Sequence, residues 1–217
     1  MPERTRSDRR HAATWPASLA LVVCAGLYLL LTNRLALGPK WILPAIVVLP
    51  LVPLGLRRER HPAEAKWIRW VTITLIGVVN VANIISLVLL VRELLDAHVT
   101  NGRPLVYSAV SVWVTNVIVF GLWFWELDRG GPSVRGTPHE GPPDLQFPQM
   151  EHPERFGDQW RPIFVDYLYT AFTNGTSFAP ADAMPVTARI KFLFACEASV
   201  SLVTIAVVAA RAVNILR

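Results

Sequence analysis

The chain has 217 residues, of which 53% are hydrophobic, and a formal net charge of +5. Several long uncharged runs and a mean hydropathy of +0.38 exclude a single water-soluble core and indicate an all-α, polytopic membrane protein. The basic excess sits in short flanks of apolar runs, which suits anionic lipid headgroups and membrane topology, not nucleic acid.

Residues 1–16 form a basic tail with Arg4, Arg6, Arg9 and Arg10, expected on the cytoplasmic side of the plasma membrane. A charged start before an apolar run resembles a secretory signal. The run from Ala17 to Ala36 is longer than a signal core and lacks a small-residue cleavage spacing, so a retained first helix is expected. Trp41 to Leu56 carries Pro44, Pro50 and Pro53, each removing a backbone donor, and predicts either a short bent span or a re-entrant hairpin buried against its neighbours, of which the fold expected overall takes the bent span. Trp67 to Leu95 and Leu105 to Trp125 are long enough for full crossings, and residues 17–126 thus read as a four-helix transmembrane region. Arg57, Arg58, Arg60 and Lys66 after the second run reinforce a cytoplasmic N-terminus.

Polar residues within these runs are expected to serve packing. Asn80, Asn83 and Asn116 carry amides suited to interhelical hydrogen bonds. Trp67, Trp70, Trp123, Trp125 and Trp160 fall near span ends, as in an aromatic belt. Cys24 and Cys196 lie in apolar runs and read as small hydrophobes.

Residues 127–161 are rich in Pro and Gly, show no helical or strand period, and predict an extended polar loop on the cytoplasmic side. Glu126, Asp128 and Arg129 at its start read as a solvated charge cluster. His139 and His152 lack the paired spacing of a zinc site, so no metal or cofactor is expected. No nucleotide loop, zinc-protease helix or nucleophile elbow is present, and the expectation is a protein that is not an enzyme.

Residues 162–217 hold the most informative pattern. Pro162 followed by Ile163 to Phe172 predicts a helix of about ten residues, roughly 15 Å or half the apolar thickness of a bilayer. A half-membrane helix must turn back, so Thr173, Asn174, Gly175, Thr176 and Ser177 are expected to form non-helical backbone lining water or buried in protein. Gly175 permits a positive φ, and the neighbouring oxygens suit a cation that has shed part of its water. Asp166 is placed to interact with the helix dipole, and Tyr167 and Tyr169 to buttress the loop or anchor at the interface. In the final run, Lys191 to Leu216, the residues Glu197, Ser201, Thr204, Val208 and Arg211 share one face. A carboxylate inside an apolar helix normally faces the bundle interior or a water path. Around an axis between subunits Glu197 would form a cation-concentrating ring; otherwise it would pair with Arg189 or Lys191.

The order of short helix, Thr- and Gly-containing loop, Asp182, Pro185 and Thr187 in "DAMPVT", and long apolar helix resembles the pore module of the potassium channel superfamily. The family's filter reads Thr, Val, Gly, Tyr, Gly immediately before the aspartate, whereas "FAPA" stands there here and "TNGT" lies upstream. The resemblance implies a cation-permeable, channel-like pore for a monovalent cation, formed by a homo-oligomer, with a tetramer favoured. On this reading the ion pathway comprises Thr173, Asn174, Gly175, Thr176, Ser177, Asp182, Glu197, Ser201 and Thr204. The competing expectation is a non-conducting membrane scaffold in which the re-entrant loop is only structural. Through "WELDRGGP", "FPQM", "DYLYTAFTN" and "ARAVNIL" the chain also resembles an uncharacterised family of bacterial multi-pass membrane proteins. The fold expected overall is about five transmembrane helices plus a half-membrane re-entrant helix and loop.

Overall fold

The computed structural model describes residues 15–36, 38–56, 62–95, 103–157, 160–177 and 183–215, and they are mostly helical. Two shorter helices come first, α1 (Trp15–Leu30) and α2 (Ile42–Leu56), then two long ones, α3 (Pro62–Leu95) and α4 (Arg103–Leu127). After them come two one-turn helices, α5 (Pro148–Glu151) and α6 (Pro153–Phe156), then α7 (Phe164–Ser177) and α8 (Ala188–Ile215). Two-residue strands β1 (Leu145–Gln146) and β2 (Met184–Pro185) pair antiparallel, with Leu145 opposite Pro185.

Among the described residues, three helical stretches are long and apolar enough to cross a membrane: Trp67–Leu94, Pro104–Gly130 and Ala188–Ala210. The apolar parts of α1 and α2, Pro16–Leu30 and Ile42–Leu51, are shorter. Pro44 falls in the first turn of α2, where its missing donor costs nothing, and Pro50 lies in the interior of that helix.

Contacts between helix ends fix how the helices run. Arg69 near the start of α3 donates to the carbonyl of Glu126 near the end of α4, at 3.1 Å, so α3 and α4 are antiparallel. At the opposite end, Thr32 after α1 donates its backbone N–H to Ser108 Oγ near the start of α4, and Ser86 of α3 donates to the Leu35 carbonyl. Arg189 at the start of α8 donates to the carbonyl of Leu127, which brings α8 to the same face as the end of α4. At that shared face, called the capped face below, lie Asp128, Arg129, Asp144 and Leu145 of the segment that follows α4.

The core forms along α4. Leu21, Val47, Ile76, Phe120, Leu122 and Phe124 are buried in one cluster that α7 and α8 complete through Tyr167, Ala171, Ile190 and Phe194. Phe124 and Phe194 stack with ring centroids 4.8 Å apart. Gly121 lets α7 approach α4 closely, since a Cβ there would lie 3.2 Å from the Leu168 Cα. Large apolar side chains instead face outward at Leu30, Leu49, Trp70, Phe192 and Leu202.

The 127–161 segment corrects the expectation of an extended loop. Successive turns close on backbone hydrogen bonds such as Gly131 N–H to the Asp128 carbonyl at 2.9 Å, and β1 ties the segment to the chain beyond α7. Leu145 and Phe147 provide the apolar anchors, buried against Tyr167 and Trp160. The tryptophans also divide: Trp67 and Trp70 are exposed as a belt requires, whereas Trp125 is buried edge-on against Phe164 and Tyr167.

Candidate functional site

Two polar clusters flank α7, one at each end. The upper one lies at the capped face. Asp128 has no exposed surface, which overturns the expectation of a solvated charge cluster, and Glu126 is buried beside it. A buried carboxylate needs donors, and Asp128 has three. The backbone N–H groups of Asp144 and Leu145 donate to Oδ1 at 2.8 and 3.3 Å, and the Tyr167 hydroxyl donates to Oδ2 at 2.5 Å. Asp144 is the second hub. Its carboxylate accepts from Thr187 at 2.7 Å, from Arg189 at 2.9 and 2.5 Å, and from the Arg129 N–H at 3.3 Å. Burial lifts the Asp144 carboxyl, but the hydrogen bonds from Arg189 and Thr187 and the Arg189 charge outweigh it and hold the group below the usual carboxylate range. Glu140 follows the same balance: burial raises it, and hydrogen bonds from Arg129 and the Gly136 N–H, with the Arg161 charge, bring it below.

Arg135 closes the cluster over aromatic faces. Its guanidinium donates to the Trp125 carbonyl and lies 4.0 Å from the Trp125 ring centroid and 4.9 Å from that of Tyr167. Tyr167, Thr187 and Arg189 reach this network from 39 to 45 residues away along the chain.

The lower cluster lies inside the apolar bundle, where the inner end of α7 meets α4 and α8. Glu197 has no exposed surface, and Ser201 and Thr204 are buried on the same face, as the spacing predicts. Asn174 donates through Nδ2 to Glu197 Oε2 at 2.9 Å and to the Phe194 carbonyl at 3.0 Å. Asn116 of α4 donates to the Glu197 carbonyl at 3.2 Å and to Ser201 Oγ at 3.1 Å, so this amide does join two helices. Glu197 Oε1 and Asn116 Oδ1 are buried and accept no hydrogen bond from the described residues. Thr204 turns its hydroxyl back to the Val200 carbonyl. Arg189 is held by Asp144 and is not the partner of Glu197.

The segment 173–177 departs most from expectation. It is the last part of α7, and Gly175 is not among the glycines with positive φ. Thr173 donates its hydroxyl to the Tyr169 carbonyl at 2.9 Å, and Thr176 to that of Phe172 at 2.8 Å. These bonds satisfy the hydroxyls within the helix, so the helix continues where a break was expected. The physical need for Gly175 is proximity: a Cβ there would stand 2.9 Å from Ser201 Oγ. Of Ser177 only the backbone is described, and Asp182 and the side chain of Arg211 lie outside the described residues. Asp166 does reach back to accept from the Ile163 N–H at 2.7 Å, a helix-start contact. Tyr167 is buried on Asp128 and Tyr169 is exposed.

Both ends of the segment containing α7 return to the capped face. Tyr167 in its first turns bonds Asp128, and beyond it the Val186 N–H donates to the Asp144 carbonyl at 2.9 Å. Between them Asn174 reaches the middle of α8. The upper cluster was missed in the sequence because Asp128, Asp144, Tyr167 and Arg189 have no mutual spacing to betray them. No protein-family model, curated protein or solved structure matches the chain.

Proposed function

We propose that this is an integral membrane protein of the plasma membrane with five crossings, in which α7 is a re-entrant helix entering and leaving at the capped, cytoplasmic face. Its function is passage of a monovalent cation, along a path that includes the Glu197 cluster, in a homo-oligomer for which the channel resemblance favours a tetramer. The observation that carries this reading is the pair of buried acceptors, Glu197 Oε1 and Asn116 Oδ1, with no donor among the described residues, inside an apolar bundle. A carboxylate in such surroundings is costly, and a cation that has shed part of its water supplies the positive partner both oxygens lack. Outward-facing Leu30, Leu49, Phe192 and Leu202 suit contact with acyl chains. The 14 residues of α7 extend about 21 Å, less than a bilayer core, which supports entry and exit on one side.

A second reading, a non-conducting membrane scaffold, is favoured by a separate observation. The threonine hydroxyls of 173–177 are bonded to carbonyls of their own helix, which leaves no open backbone filter there. Glu197 also has no exposed surface within its own chain, as is expected of a purely packed side chain.

Purified protein in liposomes, with an imposed potassium or sodium gradient, separates the two. Flux is expected, and it falls in Glu197→Gln and in Gly175→Val. Correctly assembled protein that passes neither ion supports the scaffold and removes the pore.

A further inference from the structure

Beside the upper cluster lies a cavity of about 220 Å³, lined by Arg129, Arg161, Gln146, Gln149, Met150 and Trp160 among others. Its volume is several times the share of liquid that one water occupies, roughly 30 Å³. Among its described lining residues are two guanidinium groups and no carboxylate.

The donors of Arg129 are incompletely used. Its Nη1 donates to Glu140 at 2.7 Å, but its Nη2 donates only to the Met150 thioether at 3.1 Å, and its Nε, 3.6 Å from Asp128, is buried without a hydrogen bond. A thioether is a weak acceptor, so the edge of this guanidinium facing Met150 lacks an oxygen. Arg161 donates from Nη1 to the adjacent Trp160 carbonyl, its Nε stands 3.6 Å from Glu140, and its side chain is 46% exposed. Gln149 Oε1 is buried and accepts nothing from the described residues. Arg129 also holds a left-handed backbone, with φ 55, a conformation disfavoured for an arginine and found among the described non-glycine residues here alone.

We infer that this cavity is a binding site for a phosphate group, held by Arg129 and Arg161. A guanidinium fork matches phosphate oxygens with paired donors, and a protonated phosphate oxygen or a headgroup alcohol donates to Gln149 Oε1, which has no donor among the described residues. The same group is offered by a free phosphate or by an anionic phospholipid headgroup. The site lies where α7 begins, at the level at which apolar helices meet polar chain, so both sources reach it. This site is independent of cation passage at Glu197.

The test uses the full chain in a phosphate-free maltoside detergent. Inorganic phosphate is titrated by calorimetry to about 10 mM, and retention of phosphatidylglycerol is read by native mass spectrometry. Binding of phosphate alone identifies a free-phosphate site; lipid retention without it identifies a headgroup site. In either case Arg161→Gln is expected to weaken binding about tenfold or more, with an unchanged melting temperature because the side chain is half exposed. Arg161→Lys, which keeps the charge but not the fork, weakens it less, and serves if Arg161→Gln unfolds. An adventitious ion only, seen as binding equal in wild type and both variants, overturns the site, as does failure of both probes to bind.

Discussion

The hydroxyl of Tyr167 donates to the carboxylate of Asp128 at 2.5 Å, 39 residues away along the chain, and neither side chain has exposed surface. This bond joins the entry of α7 to the end of α4. Because it involves a buried charged acceptor, Tyr167→Phe is expected to cost about 1.5–3 kcal/mol, read as a lower melting temperature in detergent. Tyr169→Phe, at an exposed position one turn-fraction away, is the matched control and should stay within about 0.5 kcal/mol. Equal effects of the two would remove Tyr167 from the set of residues that hold the cap.

Acid should loosen the same face through Asp144. Its folded-state carboxyl lies below the ordinary range, since the bonds from Arg189 and Thr187 outweigh burial. The unfolded chain therefore binds its proton first as pH falls. The stabilisation is fully present above the ordinary aspartate value, about 4, and is lost as pH drops through the lower folded value. Thermal unfolding followed from neutral pH downward should show a shallower acid limb in Asp144→Asn than in the wild type. An identical limb in both would mean that other carboxylates account for it.

Gly175 and Ser201 should show strong coupling. An alanine at 175 gains up to about 1 kcal/mol of helix propensity, yet its Cβ would meet Ser201 Oγ at 2.9 Å. Overpacking of this kind costs about 1–3 kcal/mol, so Gly175→Ala is expected to destabilise. Removing the hydroxyl leaves the Ser201 Cβ at 3.7 Å, an ordinary contact. In a double-mutant cycle with Ser201→Ala the coupling should exceed about 1 kcal/mol. Additive effects would place the two helices further apart than described.

Sidedness is open to a direct measurement. With Cys24 and Cys196 replaced, single cysteines at Pro138 and Met184 should react with an impermeant thiol reagent from one side of intact cells or oriented vesicles. A cysteine at Lys40 should react from the other. Met184 is two-thirds exposed at 65%, so access to it is not limited by packing. Labelling of 138 and 184 from opposite sides would turn α7 from a re-entrant helix into a crossing.

What the sequence conveyed and what it withheld have a common physical origin. Apolar runs report helices because a bilayer-length stretch has few alternatives, and α3, α4 and α8 fall where Trp67 to Leu95, Leu105 to Trp125 and Lys191 to Leu216 predict them. The buried face of Glu197, Ser201 and Thr204 was legible through the helical repeat. Gly175 was ambiguous, because a missing Cβ serves a turn and a close approach equally, and only the neighbour 26 positions on at Ser201 decides between them. The 127–161 segment was illegible for another reason. Its order comes from its own successive turns together with single contacts to Tyr167, Thr187 and Arg189, and neither leaves a periodic trace in Pro- and Gly-rich chain.

The position of α7 against α4 and α8 has a consequence for biogenesis. α7 carries Asp166, Asn174 and several threonines, too polar a cargo for a translocon to release sideways on its own, and its berth is walled by α4 and α8. Since α8 follows α7 in the chain, the wall that α8 contributes is complete only once α8 has been made. Truncation before Ala188 should accordingly yield a chain whose earlier helices insert while α7 stays at the ribosome-side surface, open to protease.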